Sequence, residues 1–239
     1  MPGYLTKQEQ IEVSGVLDLT IRSLLDRQQF SDPFGDALGL GISSAMWPIF
    51  GLLWPSSAQL AARLAARIVR PDERILEVGC GLALASLVGH RRGADMTASD
   101  CHPLAQGFLL ENLRLNALAP MKYRHGHWGG QALPVGRDGA VPASDVMGEF
   151  DLIIGSDLLY ERDAGALLAG FIARHALGVS EVWIVDPDRG NRTAFHRAMA
   201  TFGFEVSERR LDQQATAQTL AYKGRLLTYR RGSRPPRLA

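Results

Sequence analysis

The sequence predicts an α/β protein built on a doubly wound, mostly parallel sheet with helices on both faces. Three observations carry that expectation. Short apolar runs alternate along the chain with longer segments at helical spacing, the order that produces a parallel sheet. One such run, Ile75-Leu76-Glu77-Val78, enters a glycine turn, Gly79-Cys80-Gly81, and a segment rich in alanine and leucine leaves it. Two late runs, Phe204 to Arg209 and Arg225 to Arg231, are joined by a polar loop and read as a closing hairpin.

Composition narrows the class. With 239 residues the chain suits one domain with an N-terminal extension, and 46% hydrophobic against 21% charged residues is ordinary for a globular protein. The 26 basic and 25 acidic residues nearly cancel, so nothing global points to nucleic acid or an anionic membrane. Cys80 and Cys101 are too few for a disulfide framework and lack metal-ligand spacing, which makes the cytoplasm the expected setting. The first residues, Glu9 and Glu12 among them, lack the basic flank and apolar run of a signal peptide. Ala37 to Ala62 carries no charge, but Pro48, Pro55 and its glycines break it as a membrane span. It reads as buried core and a pocket wall.

Taken in order, Thr6 and Glu9 form a T-x-x-E capping box that opens a helix to about Asp26, with Ile11, Leu17, Ile21, Leu24 and Leu25 roughly on one face. Pro55-Ser56-Ser57 starts a second helix, continued by Leu60, Leu64 and Ile68; Trp54 stands just before it and Trp47 reads as core. At the glycine turn the missing Cβ atoms let backbone approach a ligand, and the helix behind it turns free N–H groups toward that ligand. A dinucleotide fingerprint would place a small residue where Leu84 stands. Glu77 would repel a pyrophosphate and tolerate a cationic amino-acid moiety, such as that of S-adenosylmethionine.

Met96 to Asp100 reads as the next strand. Asp100 lies about twenty residues past the glycine turn, where an acid commonly accepts hydrogen bonds from a ribose, and it also suits an N-cap for the helix Leu104 to Asn116. Tyr123 to His125 is a short strand, and Gln131 to Glu149, rich in Gly, Pro and polar residues, is a loop long enough to act as a lid. Phe150 to Gly155 is a buried strand, and Ser156-Asp157-Leu158-Leu159-Tyr160 crosses its C-terminal end, the crevice side of such sheets. A helix over Ala164 to Ala176, a strand over Glu181 to Val185, a turn at Asp186-Pro187-Asp188-Arg189 and a helix over Thr193 to Phe202 follow. From Lys223 onward the chain has basic residues and no acids, the pattern of a strand edge and a solvated tail.

Several of these stretches resemble one family. Glu77-Val78-Gly79-Cys80-Gly81 is similar to the E-x-G-x-G motif of class I S-adenosylmethionine-dependent methyltransferases. Trp54-Pro55-Ser56 resembles the W-P-S/A segment of the seven-β-strand protein lysine methyltransferases, the group related to those acting on calmodulin, valosin-containing protein and electron-transfer flavoprotein. Glu111-Asn112 with Leu115-Asn116 resembles that group's asparagine-rich helix, and Asp157 with Tyr160 its D-x-x-Y motif. His127-Trp128-Gly129 resembles its D-W-G element, with histidine in place of the aspartate. The aminomethyltransferases of nucleic acids carry D/N-P-P-Y/F/W at the fourth strand; Leu158 and Leu159 replace both prolines, which argues against base methylation.

The resemblance runs from Trp54 to about Phe204. It implies a Rossmann-like sheet of seven strands with a C-terminal antiparallel hairpin, S-adenosylmethionine as cofactor, and methyl transfer to a lysine of a protein by a monomeric enzyme. It divides the chain into a helical extension and pocket cover over 1–53, a methyltransferase domain over 54–232 and a basic tail over 233–239. The implied cofactor residues are Trp54, Glu77, Gly79, Cys80, Gly81, Asp100, Trp128, Ser156 and Asp157, with Asp157 and Tyr160 at the reacting end. Two other outcomes stay open: a small-molecule methyltransferase, and a cofactor-binding interaction module without activity. An open groove beside the N-terminal segment would favour a protein acceptor, a closed cover a small molecule.

Overall fold

The computed structural model describes residues 3–13, 15–129, 144–160, 164–215 and 221–232. The chain opens with an antiparallel hairpin, β1 (Thr6–Ile11) and β2 (Leu19–Leu24), in the register Thr6↔Leu24 to Ile11↔Leu19. This corrects the helix expected over 6–26. The residues that looked like a helical face divide, Leu17 and Leu25 lying exposed while Ile21 and Leu24 are buried. What decides the conformation is the alternation in β2, where Leu19, Ile21 and Ser23 point inward and Thr20 and Arg22 outward. Gly15, at φ 87°, supplies the turn conformation that L-residues avoid.

A short helix, α1 (Asp36–Gly39), and a 3-10 turn (Trp47–Gly51) lead to α2 (Pro55–Ala65), which starts at the proline that marks it in the sequence. Ile68 falls beyond its end and is exposed. The main sheet follows: β3 (Arg74–Val78), β4 (Asp95–Asp100), β5 (Lys122–His125), β6 (Phe150–Ser156), β7 (Ala176–Asp186), β8 (Glu205–Arg210) and β9 (Arg225–Arg231). Its order is β5-β4-β3-β6-β7-β9-β8. The first five strands run parallel, and β9 pairs antiparallel with both β7 and β8. Helices α3 (Leu84–Arg91), α4 (Ala105–Leu115), α5 (Ala164–His175) and α6 (Arg192–Thr201) connect them.

Buried strands need apolar residues on both faces, and here each face has its own core. Ile75, Met96, Ile154 and Trp183 pack with α2, α3 and α4, while Leu76, Ile153, Ile184 and Leu227 pack with α5 and α6. The chain moves outward from β3 to β5 and returns beside β3 with β6. That reversal leaves a crevice at the C-terminal ends of β3 and β6, where ligands of such sheets bind. Part of the expected lid, 131–143, and the tail 233–239 lie outside the described residues. Among the described residues no helix is long and apolar enough to cross a membrane.

The hairpin is fastened to the domain by two asparagines. Asn112 Oδ1 accepts the Arg22 N–H at 2.8 Å, and Asn116 Oδ1 accepts the Thr20 N–H at 2.9 Å. Asn116 Nδ2 donates to the Thr20 carbonyl at 2.7 Å. Four residues apart, one on α4 and one capping its C-terminal end, the two amides take the place of a neighbouring strand. Asn112 is fully buried, so its loss leaves the Arg22 N–H without an acceptor. Asn112→Ala is expected to lower unfolding free energy by about 1–3 kcal/mol, seen as a shift of the urea midpoint; an unchanged midpoint would show that water replaces the amide.

Candidate functional site

The crevice holds a cavity of about 270 Å³ that runs from the glycine turn to Tyr160. The turn after β3 has Gly79 at φ 56° and Gly81 at φ 51°. A Cβ on Gly79 would meet Leu158 Cδ2 at 2.6 Å, and one on Gly81 would meet the Phe50 carbonyl oxygen at 2.7 Å. Glycine is therefore needed at both positions, for conformation and for space. The Cys80 N–H reaches the Ser99 carbonyl at 2.9 Å, tying the turn to β4.

Asp100 holds the next level. Its Oδ2 accepts the Gly81 N–H and its Oδ1 the His102 N–H, both at 2.8 Å, and its carbonyl accepts the Gly126 N–H at 3.0 Å. Burial pushes its carboxyl up from the usual range, while the three N–H groups of His102, Gly81 and Cys101 pull it back toward the charged form. His102 stacks on Phe50 with ring centroids 3.7 Å apart, and burial pushes its imidazole down to about 3. A buried neutral ring thus closes one side of the cavity.

The opposite wall comes from the charge-free stretch, with Leu40, Ile42, Met46, Ile49, Leu52 and Leu53 facing inward. Trp54 caps α2, lines the cavity, and donates its indole N–H to the Ile49 carbonyl at 2.9 Å. Trp128 lines the far side next to Gly79. At the end of β6 stand Ser156, Asp157 and Tyr160, the last 40% exposed at the rim. Asp157 has φ 58°, a conformation uncommon outside glycine, and its N–H bonds the Val185 carbonyl at 3.0 Å. Its Oδ1 meets Arg189 at 3.1 Å, and its Oδ2 is buried without a hydrogen-bond partner. Burial raises this carboxyl; the nearby Ser56 hydroxyl and Arg189 oppose the rise.

Solved structures with the same architecture supply the comparison. The chain is similar to a methyltransferase from Pyrococcus furiosus, with a TM-score of 0.56 and 16% identity over 76% of this chain and 85% of that one. It is similar to the magnesium protoporphyrin IX methyltransferase of Synechocystis PCC 6803, solved with bound SAM, with a TM-score of 0.55 and 15% identity over 85% and 86%. The ribosomal protein L11 methylase of Lactobacillus delbrueckii subsp. bulgaricus gives 0.50 and 20% over 74% and 79%. No family model and no curated protein sequence matches the chain. At these identities the likeness is one of fold. The chain has the class I methyltransferase fold.

Within that methyltransferase fold, nine of the ten predicted site residues line one cavity: Trp54, Gly79, Cys80, Gly81, Asp100, Trp128, Ser156, Asp157 and Tyr160. Glu77 does not. It is buried beneath the turn, and its Oε2 accepts both the N–H and the hydroxyl of Ser86, in the first turn of α3. Its carboxylate therefore serves the helix start rather than the cavity. Sequence reasoning missed Ser56 and Tyr222 around Asp157. The Ser56 and Tyr222 hydroxyls are 2.9 Å apart across 166 positions of sequence, so no local pattern announces them. Arg189, in the turn Asp186-Pro187-Asp188-Arg189 expected after β7, is held by its N–H on Asp186 Oδ1 at 2.9 Å.

Burial raises the Glu77 carboxyl to about 7, against the two Ser86 hydrogen bonds and with a small push from Asp100. A carboxyl raised in the folded state contributes stability that is complete below its unfolded value near 4.5 and is lost as pH rises through about 7. Glu77→Gln removes that titration. The variant is expected to gain on wild type by on the order of 1–3 kcal/mol between pH 5 and 8, measured by urea unfolding; a constant difference would place the Glu77 titration elsewhere.

Proposed function

We infer that this protein is an S-adenosylmethionine-dependent N-methyltransferase whose acceptor is a lysine side chain of a protein. One observation carries the reading. Among the described lining residues the carboxylates of Asp100 and Asp157 are the only Asp, Glu, Lys or Arg side chains, all other walls being apolar, aromatic, backbone or neutral polar. Such a cavity disfavours phosphates and suits a ligand carrying positive charge without phosphate. It also suits an aliphatic amine, with apolar walls for the stem and a carboxylate for the head.

When bound, S-adenosylmethionine supplies an electrophilic methyl group on a sulfonium. Gly79, Cys80 and Gly81 are assigned to its methionine end, Asp100 to the ribose hydroxyls and Trp128 to the adenine. Trp54 and Ser156 border the reacting end. Glu77 supports this site only through Ser86 and the turn. Asp157 orients the incoming amine, and Tyr160 shapes the mouth. An amine held there would have to be neutral to accept the methyl group, and its surplus proton would pass to solvent. The protein's contribution is alignment and exclusion of water. A small apolar amine is the second reading, favoured by the continuous apolar wall of residues 40–53 over one side of the cavity.

Incubating the protein with radiolabelled S-adenosylmethionine and a cell extract split by ultrafiltration tests this reading. Label fixed in protein supports it, and label in small molecules beyond a no-enzyme control favours the second. Asp100→Ala is expected to weaken cofactor binding by about 1.5–3 kcal/mol by calorimetry; unchanged affinity would remove Asp100 from the cofactor site. Asp157→Asn and Tyr160→Phe are expected to lower turnover on the order of tenfold to a hundredfold, with cofactor affinity nearly kept. Normal turnover in both would refute their placement.

A further inference from the structure

A second cleft, of about 260 Å³, lies near the other end of α2 from Trp54, away from the cavity described above. It is bordered by Arg63, Ala66 and Arg67 of α2 and the turn behind it, by Ile68 and Arg70, and by Trp183 of β7. Sheet register explains its second wall. Glu181 and Trp183 of β7 stand opposite Arg230 and Thr228 of β9, and those face Glu205 and Ser207 of β8. Counting in twos along the strands puts Arg209 on the same sheet face as Trp183 and Arg230. Helix α2 packs on β6 and β7 at this face, and every β8 residue is exposed. The sheet therefore extends past the helix, leaving a recess between α2 and its last strands.

The charge in this recess is unbalanced. Five guanidiniums, of Arg63, Arg67, Arg70, Arg209 and Arg230, gather around three carboxylates, of Glu73, Glu181 and, across from Arg230, Glu205. Arg67 takes both Glu73 oxygens, and Arg230 takes Glu181 at 2.8 Å. Arg63 and Arg209 have no ion pair among the described residues. The Arg63 guanidinium lies 4.9 Å above the Trp183 ring and that of Arg67 5.0 Å. Arg63 Nε and Trp183 Nε1 are both buried and without a hydrogen-bond partner. Buried donors without acceptors are uncommon and ask for an explanation. Burial and the neighbouring Arg209, Arg67 and Arg230 lower the Arg63 guanidinium, against Glu181, which shows how closely the cations crowd.

We propose that this arginine cleft is a binding site for the phosphoryl group of a small ligand. Guanidiniums present paired donors that match the oxygens of a phosphoryl group. Two of the five charges lack a carboxylate to balance them, so a single carboxylate would leave half of the excess in place. A phosphoryl group brings up to two negative charges and three acceptor oxygens, which answers both the charge and the donors. The size of the recess suits a small solute rather than the tracked backbone of a polymer. The site is independent of the methyl-transfer reading, because it shares no lining residue with the first cavity.

The test is a titration of the full chain with pyrophosphate at constant ionic strength, made up with chloride, following the indole N–H resonance of Trp183 by NMR. Trp183→Phe assigns that resonance. Saturable movement is expected, with affinity reduced roughly tenfold or more in Arg63→Gln and in Arg209→Gln, each removing a charge-assisted donor. Arg209 sits on an exposed strand, so its variant tests the site even if Arg63→Gln fails to fold. Three results would each overturn the proposal. They are a response equal to that of acetate or chloride, full affinity retained in Arg209→Gln, or saturable binding of a single-stranded RNA oligonucleotide with no response to pyrophosphate.

Discussion

The carboxylate of Asp100 is the fastening on which the site depends. Through its side chain and carbonyl, that one residue takes N–H groups from the glycine turn after β3, from the turn after β4 and from the segment after β5. Three strand ends are thereby held at one level. A charged group at such depth is expensive unless it is met by donors, and the backbone supplies them before any ligand arrives. Part of the carboxylate's acceptor capacity is spent on the fold itself. A ribose would find an acid already oriented, with little rotamer freedom left to lose.

The β6 end of the crevice is organised differently. There the backbone bends sharply at Asp157, and the side chain is held from outside the cavity by Arg189. Asp186, fully buried one strand over, fixes Arg189 through its N–H. Two carboxylates and one guanidinium thus share a partly buried volume, with the Ser56–Tyr222 hydroxyl pair alongside. An ammonium group entering the cavity would compete with Arg189 for Asp157. The strength of that competition depends on how well the arginine remains held by its main-chain anchor.

Much of this was legible in the sequence because the signals are local. The run Ile75 to Val78, the glycines after it, Pro55 at a helix start and the acid closing Met96 to Asp100 each follow from neighbours a few positions away. The absence of charge over 37–62 likewise marked the pocket wall. The N-terminal hairpin was not legible, since Ile21 and Leu24 sit three apart, a helical spacing, and the burial of Leu24 breaks the alternation of β2. Its strands are set by Asn112 and Asn116, about ninety positions later. Glu77 was misplaced for a related reason. Its position at a strand end was clear, but whether the carboxylate faces the crevice or Ser86 depends on the course of the turn between them. Arg209 comes beside the arginine cleft, and Tyr222 beside Ser56, only once the last strands fold back along β7.

The contact of the Phe50 carbonyl with Gly81 bears on redesign of the cavity. The oxygen sits where a side chain of residue 81 would begin, so cover and turn are registered against each other to within a fraction of an ångström. The cover is seated on the turn like a jaw on its hinge. Trimming the Phe50 side chain leaves that carbonyl in place but removes the ring stacked on His102. Positions 42, 46, 52 and 53 face the same space without touching that seam, and are the places where the jaw can be recut.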